Sequence, residues 1–173
     1  MKKALAALVL MIAVSTASVA ELRIAYINSE YIREEYGAFA DAQAQFDKDV
    51  ASWEAEAERL EKEIIDLSSE LEQQALLLSE DKKIERQKLI EQKQQEYQRY
   101  LAEVFGAGGT AERRNAELTA PLLKKINTAL VDIATREGYD LIFDVAGGNI
   151  AYIDENLDIT DMLLEELAAM PAE

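Results

Sequence analysis

Between Phe39 and Leu78 the apolar residues recur at alternating intervals of three and four: Phe39, Phe46, Val50, Trp53, Ala57, Leu60, Ile64, Leu67, Leu71 and Leu78. With Val50 placed at heptad position a and Trp53 at d, ten of the twelve a and d positions are apolar and only Gln43 and Gln74 are polar. That period predicts a coiled-coil seam. The glutamates between these positions, among them Glu54, Glu56, Glu58, Glu61 and Glu63, predict a solvated face. Ser79-Glu80-Asp81 favours a turn or a helix start, and a second helical period runs from near Lys82 through Ile90, Tyr97, Leu101, Val104, Leu118, Leu122, Ile126, Ala129 and Ile133 to a glycine stop at Gly138. Two long helices joined by about three residues run antiparallel, and neither buries its stripe alone, so the pattern predicts a helical hairpin. At 1.5 Å per residue the first helix is about 60 Å long, far more than the diameter of a small domain. The arm therefore projects.

The two ends carry a different period. Leu22 to Asn28 is a short apolar, β-branched and aromatic run that suits a buried strand. Tyr139, Leu141, Phe143 and Val145 alternate with polar residues, and Gly147-Gly148 predicts a turn into a paired strand over Asn149 to Ile153. Asp158 or Thr160 is placed to cap a last helix whose apolar side is Met162, Leu163, Leu164 and Leu167. Met1 to Ala20 has a basic start, eleven apolar residues from Ala4 to Val14 and the ending Ser18-Val19-Ala20, the pattern of a cleaved secretory signal. The predicted fold is thus mainly α with a small β body. Its parts are a signal peptide at 1–20, a body at 21–36 and 138–173, and an antiparallel coiled-coil arm at 37–137 with its tip near 79–81. A body of three short strands and one helix buries too little apolar area to stand alone. Assembly of several copies through Leu22, Ile24, Tyr26, Leu141, Phe143 and Val145 is the expected remedy.

Composition excludes more than it selects. The chain has no cysteine and no histidine, which removes disulfides, zinc-finger spacing and Ser-His or Cys-His nucleophile systems. No enzyme activity, metal or cofactor is expected. Eighteen Lys and Arg against 34 Asp and Glu give a net charge of −16, so nucleic acid is not an expected partner. Gly106-Ala107-Gly108-Gly109 follows no strand and is not followed by Lys-Ser or Lys-Thr at phosphate-loop spacing. Instead Gly106, Gly108 and Gly109 interrupt what is otherwise helix, and predict a hinge. Against the acidic background, Lys82, Lys83, Arg86, Lys88 and Lys93 face only Glu85 and Glu91 between residues 82 and 93. The distal end of the arm is locally basic, and either pairs with acids on the neighbouring helix or contacts a client or a membrane surface.

The exported leader, the strand Leu22 to Asn28, the hairpin, Gly138-Tyr139-Asp140-Leu141-Ile142-Phe143-Asp144, Ala151-Tyr152 and Asp158-Ile159-Thr160 before an apolar helix together resemble the Skp/OmpH family of periplasmic chaperones. The resemblance covers essentially the whole chain after the leader. It implies a jellyfish-shaped homotrimer in which strands of three chains form the body and three arms enclose a cavity. It also implies a periplasmic holdase that works without ATP and keeps unfolded outer-membrane β-barrel proteins from aggregating on their way to the outer membrane. The acidity of this chain argues against contact with membrane or lipopolysaccharide. Expected client contacts are Phe46, Leu76, Leu77, Lys82, Lys83, Arg86 and Lys88. The competing class is a coiled-coil adaptor or spacer of the cell envelope without chaperone activity.

Overall fold

The computed structural model describes residues 21–171; the expected signal peptide lies outside the described residues. Strand β1 (Ile24–Ile27) leads into helix α1 (Ser29–Glu35), and the long helix α2 (Gly37–Gln74) follows after one extended residue, Tyr36. Helix α3 (Glu80–Phe105) returns along α2, α4 (Thr110–Glu137) carries the chain back to the base, and strand β2 (Leu141–Asp144) and helix α5 (Thr160–Ala169) close it. Asn28 starts α1 by accepting the backbone N–H groups of Glu30 and Tyr31 at 3.1 and 3.2 Å, which satisfies two otherwise unpaired donors. Gly138 ends α4 in the left-handed conformation at φ 71°, as a glycine cap should.

The nine apolar seam positions of α2, and Leu78 in the turn after it, are all at least half-buried, while Gln43 and Gln74 are exposed. The nine apolar positions assigned to the returning helix are likewise covered. Cross-links fix the register: Glu70 with Arg86 at 3.5 Å, Glu63 with Lys93 at 3.0 Å, the Trp53 carbonyl accepting from the Tyr100 hydroxyl at 3.1 Å, and Asp49 with Arg114 at 2.7 Å. Numbers rise on one helix as they fall on the other, so the two run antiparallel.

β1 and β2 pair in parallel, Ile24 opposite Leu141 and Ile27 opposite Asp144. A parallel pair needs a long crossover, and here the arm itself is that crossover. Ala25 and Ile27 face inward and join Ile32, Ala129, Ile133, Ile159, Leu163 and Leu167 in one core, with Ile142 packed on it. Ala129 and Ile133 come from α4, so this helix belongs to the arm at one end and to the base at the other.

Two sequence expectations are corrected. Residues 149–153 form no strand: the turn after β2 is present, with Gly148 at φ 68°, but β2 takes β1 as its partner. Alternation of apolar residues marks a strand without saying which strand it pairs with. The tip turn occupies 75–79, ahead of Glu80, because Leu77 and Leu78 both donate to the Gln74 carbonyl and end α2 early. Helix α1, at seven residues, is too short to show a period in the sequence.

Candidate functional site

The far end of the arm exposes a group of apolar side chains. Leu76 and Leu77 are 99% and 86% exposed in the tip turn, and Ile84 and Leu89 add to them from the first turns of α3. Their positions follow from the hairpin: the seam uses Leu71, Leu78 and Ile90, so the leucines beside Leu78 have no helix left to pack on. An open groove of about 530 Å³ on one side is lined by Leu71, Ala75, Ile84 and Ile90, and includes Glu72. A second, of about 590 Å³, is lined by Leu78, Leu89, Lys82, Arg86, Lys88 and Glu85.

The expected basic contacts are mostly spent within the arm. Lys82 meets Glu85 at 2.5 Å, Lys83 meets Glu80 at 2.7 Å and Arg86 meets Glu70 at 3.5 Å, leaving Lys88 without an ion pair among the described residues. The hydrogen bond from Lys82 holds the Glu85 carboxyl below its usual range, and those to Glu63 and Glu96 raise the Lys93 ammonium. The tip is therefore an apolar surface with its charges largely matched. Phe46 lies far from it, half-buried and edge-on to Trp53 with ring centroids 6.4 Å apart. Leu76, Leu77, Lys82, Lys83, Arg86 and Lys88 are thus brought together, and Phe46 is separate. Ile84 and Leu89 carry no signal in the helical period because they lie off the seam phase set by Ile90, Tyr97 and Leu101.

The glycines form a built turn. Gly106 ends α3, Gly108 adopts φ 68° and Gly109 starts α4. The N–H of Gly109 donates to the Gly106 carbonyl at 2.8 Å, the N–H of Gly108 to Glu112 Oε2 at 2.7 Å, and Arg113 Nη1 to the Gly108 carbonyl at 2.6 Å. Helix α2 runs unbroken opposite, and the Tyr100 and Arg114 cross-links sit on either side of the turn. These bonds define the turn that contains the expected hinge residues Gly106, Gly108 and Gly109.

At the base, the residues expected to meet other chains lie on one side of the two-stranded sheet. Leu22, Leu141 and Phe143 are 64%, 44% and 39% exposed, Ile24 and Val145 are half-buried, and Tyr26 is buried. Burial, with Asp158 beside it, raises the Tyr26 hydroxyl above its ordinary range. Tyr26 also bridges Asp158 on the other edge of β1, while β2 has no further strand partner among the described residues. On the inner side Asp144 accepts from the N–H groups of Ser29 and Ala146, both at 3.1 Å. Burial opposes its ionisation, but these bonds and the nearby Arg33 outweigh it and hold the carboxyl below the usual range. Ile159 is the N-cap of α5 and makes no side-chain cap bond, while Asp158 just before it accepts from the Thr160 backbone at 2.8 Å and its hydroxyl at 2.5 Å.

Among the described residues no cluster of His, Cys, Asp or Glu is placed to hold a metal, and no helix is long and apolar enough to cross a membrane. The family model described as outer membrane protein (OmpH-like) matches residues 23–167. A crystal structure from Caulobacter crescentus CB15, assigned as an OmpH-like outer membrane chaperone, superposes with a TM-score of 0.74 over 87% of this chain and 86% of that one. The two are 13% identical, so the likeness is one of fold. No curated protein matches the chain in sequence.

Proposed function

Because the chain belongs to the OmpH-like outer membrane protein family, we propose that it is a periplasmic chaperone, a holdase for unfolded outer-membrane β-barrel proteins, and not an enzyme. The observation that carries this is the uncovered apolar tip, Leu76 and Leu77 above all, at the end of an arm that reaches about 55 Å from its root over the 38 residues of α2. Leucines 86% to 99% exposed contribute nothing to folding, and a soluble chain keeps such surface where it meets a partner.

The working unit in this reading is a homotrimer joined through the exposed sheet side at Leu22, Ile24, Leu141 and Phe143, with three arms around a cavity. Contacts at each tip are individually weak, and three tips on one body raise their combined hold without any one fixing the client. The client keeps its chain entropy, and enclosure separates it from other unfolded chains. Binding and release then need no nucleotide. The glycine turn sets the direction of the arm, and motion there widens the cavity for larger clients. Export by the N-terminal leader places the protein in the periplasm.

The test is aggregation of an unfolded outer-membrane β-barrel protein, followed by light scattering without nucleotide. The parent protein suppresses it at stoichiometric trimer. Leu76→Ser with Leu77→Ser weakens suppression while thermal stability stays unchanged, since neither side chain is packed. Because the tip bases other than Lys88 are already paired, capture persists in about 0.5 M salt, where the Debye length is about 4 Å. A protein that never slows aggregation is a coiled-coil spacer instead.

A further inference from the structure

At the root of the arm, α1, α2 and α4 enclose a cleft of about 420 Å³ lined by Arg33, Phe39, Ala40, Gln43, Asn115 and Thr119. That volume suits a small ligand or the end of a peptide. The chain carries 34 Asp and Glu, and each tip groove includes one, yet none lines this cleft. Glu30, Glu34 and Glu35 share α1 with Arg33 but stand outside it.

Two of the polar groups here offer unused donors, Arg33 and the Asn115 amide. Arg33 makes none of the ion pairs among the described residues, and acts on Asp144 only from beyond ion-pair distance. The Asn115 side-chain amide has no hydrogen-bond partner among the described residues, whereas the Thr119 hydroxyl is spent on the Asn115 carbonyl at 2.8 Å and the Gln43 amide on Asp47 at 2.7 Å. The remaining wall is apolar: Phe39, held edge-on by Tyr36 with centroids 6.0 Å apart, and the methyl groups of Ala40 and Ala42.

A guanidinium and a free amide beside an aromatic wall match a carboxylate and an apolar side chain carried on one Cα. Only the last residue of a chain has both, since an internal Asp or Glu brings a carboxylate without the apolar group. We propose that this cleft binds the C-terminal carboxylate of an unfolded chain that ends in an apolar residue, with Arg33 and Asn115 on the carboxylate and Phe39 on the side chain. The inference deepens the holdase reading, on which it rests for its natural occupant, by giving the enclosed client one fixed end.

Calorimetric titration of the folded protein with an N-acetylated hexapeptide ending in a free phenylalanine carboxylate tests it. The same peptide as its C-terminal amide should bind at least tenfold more weakly, as should an amidated peptide with an internal aspartate. Arg33→Gln should lower affinity for the free acid to a similar degree. Asn115→Asp, at an exposed position, sets a like charge against the carboxylate and should abolish binding without disturbing the fold. Equal binding of acid and amide, equal binding of the internal aspartate, or full affinity in both variants overturns the proposal. Aggregation suppression separates the two ideas: a protein that suppresses aggregation but ignores the peptide loses only the cleft, and one that binds the peptide without suppressing loses only the holdase.

Discussion

Alanine at Gly106 would put its Cβ hard against the carbonyl oxygen of Ala102, and alanine at Gly109 would sit 2.7 Å from the carbonyl oxygens of Gly106 and Val104. Both obstacles are backbone, which cannot swing aside as a side chain can. Gly108, at φ 68°, has open space around it but a conformation that costs an L residue about 1–2 kcal/mol. Helix propensity alone predicts the opposite, a gain of about 1 kcal/mol for each glycine replaced. That gain is available only if α3 and α4 straighten into one helix, which would pull Ala129 and Ile133 out of the core or break the Asp49–Arg114 and Trp53–Tyr100 cross-links. Overpacking of this kind costs about 1–3 kcal/mol. Gly106→Ala and Gly109→Ala should therefore each lower the melting temperature, by about 2–4 °C per kcal/mol for a chain of this size. Thermal unfolding by circular dichroism measures the loss, and amide hydrogen exchange over residues 105–111 shows where the protein opens. If either alanine variant melts at or above the parent temperature, the turn is a tolerated irregularity and the steric reasoning fails. If the parent exchanges faster at 105–111 than at 95–101, the turn moves despite its hydrogen bonds and serves as the hinge.

Two further outcomes test the base. Phe143→Asp should leave the single-chain core intact, because this side chain is 39% exposed, yet dissociate the proposed trimer, since burying an unpaired charge at an interface costs several kcal/mol; light scattering that still gives three copies would move the interface elsewhere. Asp144 has a folded-state pKa below its unfolded value, so its contribution is present above about pH 4 and is lost as pH falls through the folded pKa. Asp144→Asn should thus be less stable than the parent at neutral pH, with the gap in urea midpoint closing on acidification, and a gap independent of pH would deny the carboxylate this role.

The helical arm was legible because a helix pair is specified by local periodicity. Each seam residue from Phe39 to Leu78 meets the partner helix wherever the chain turns, so period and length alone predict which side is covered. The same holds for Met162, Leu163, Leu164 and Leu167 of α5, and for Gly138, whose left-handed cap is a property of the residue. Pairing of β1 with β2 is of another kind. Ile24 and Leu141 are neighbours across the whole arm, and no short-range pattern separates that partner from the nearer run at 149–153. Charge followed the same division: the excess of bases at the tip is visible in the sequence, but only the apposed helices reveal that Glu70 neutralises Arg86 and Glu63 neutralises Lys93. The glycines signalled an interruption by composition, while their role in a hydrogen-bonded turn depends on the backbone oxygens brought against them. The Arg33 cleft had no signal at all, since its walls come from three helices whose residues are up to 86 positions apart, Arg33 to Thr119. What is local in sequence determined the elements and their covered sides; what joins distant segments, in the sheet, the ion pairs and the cleft, was decided by packing in three dimensions.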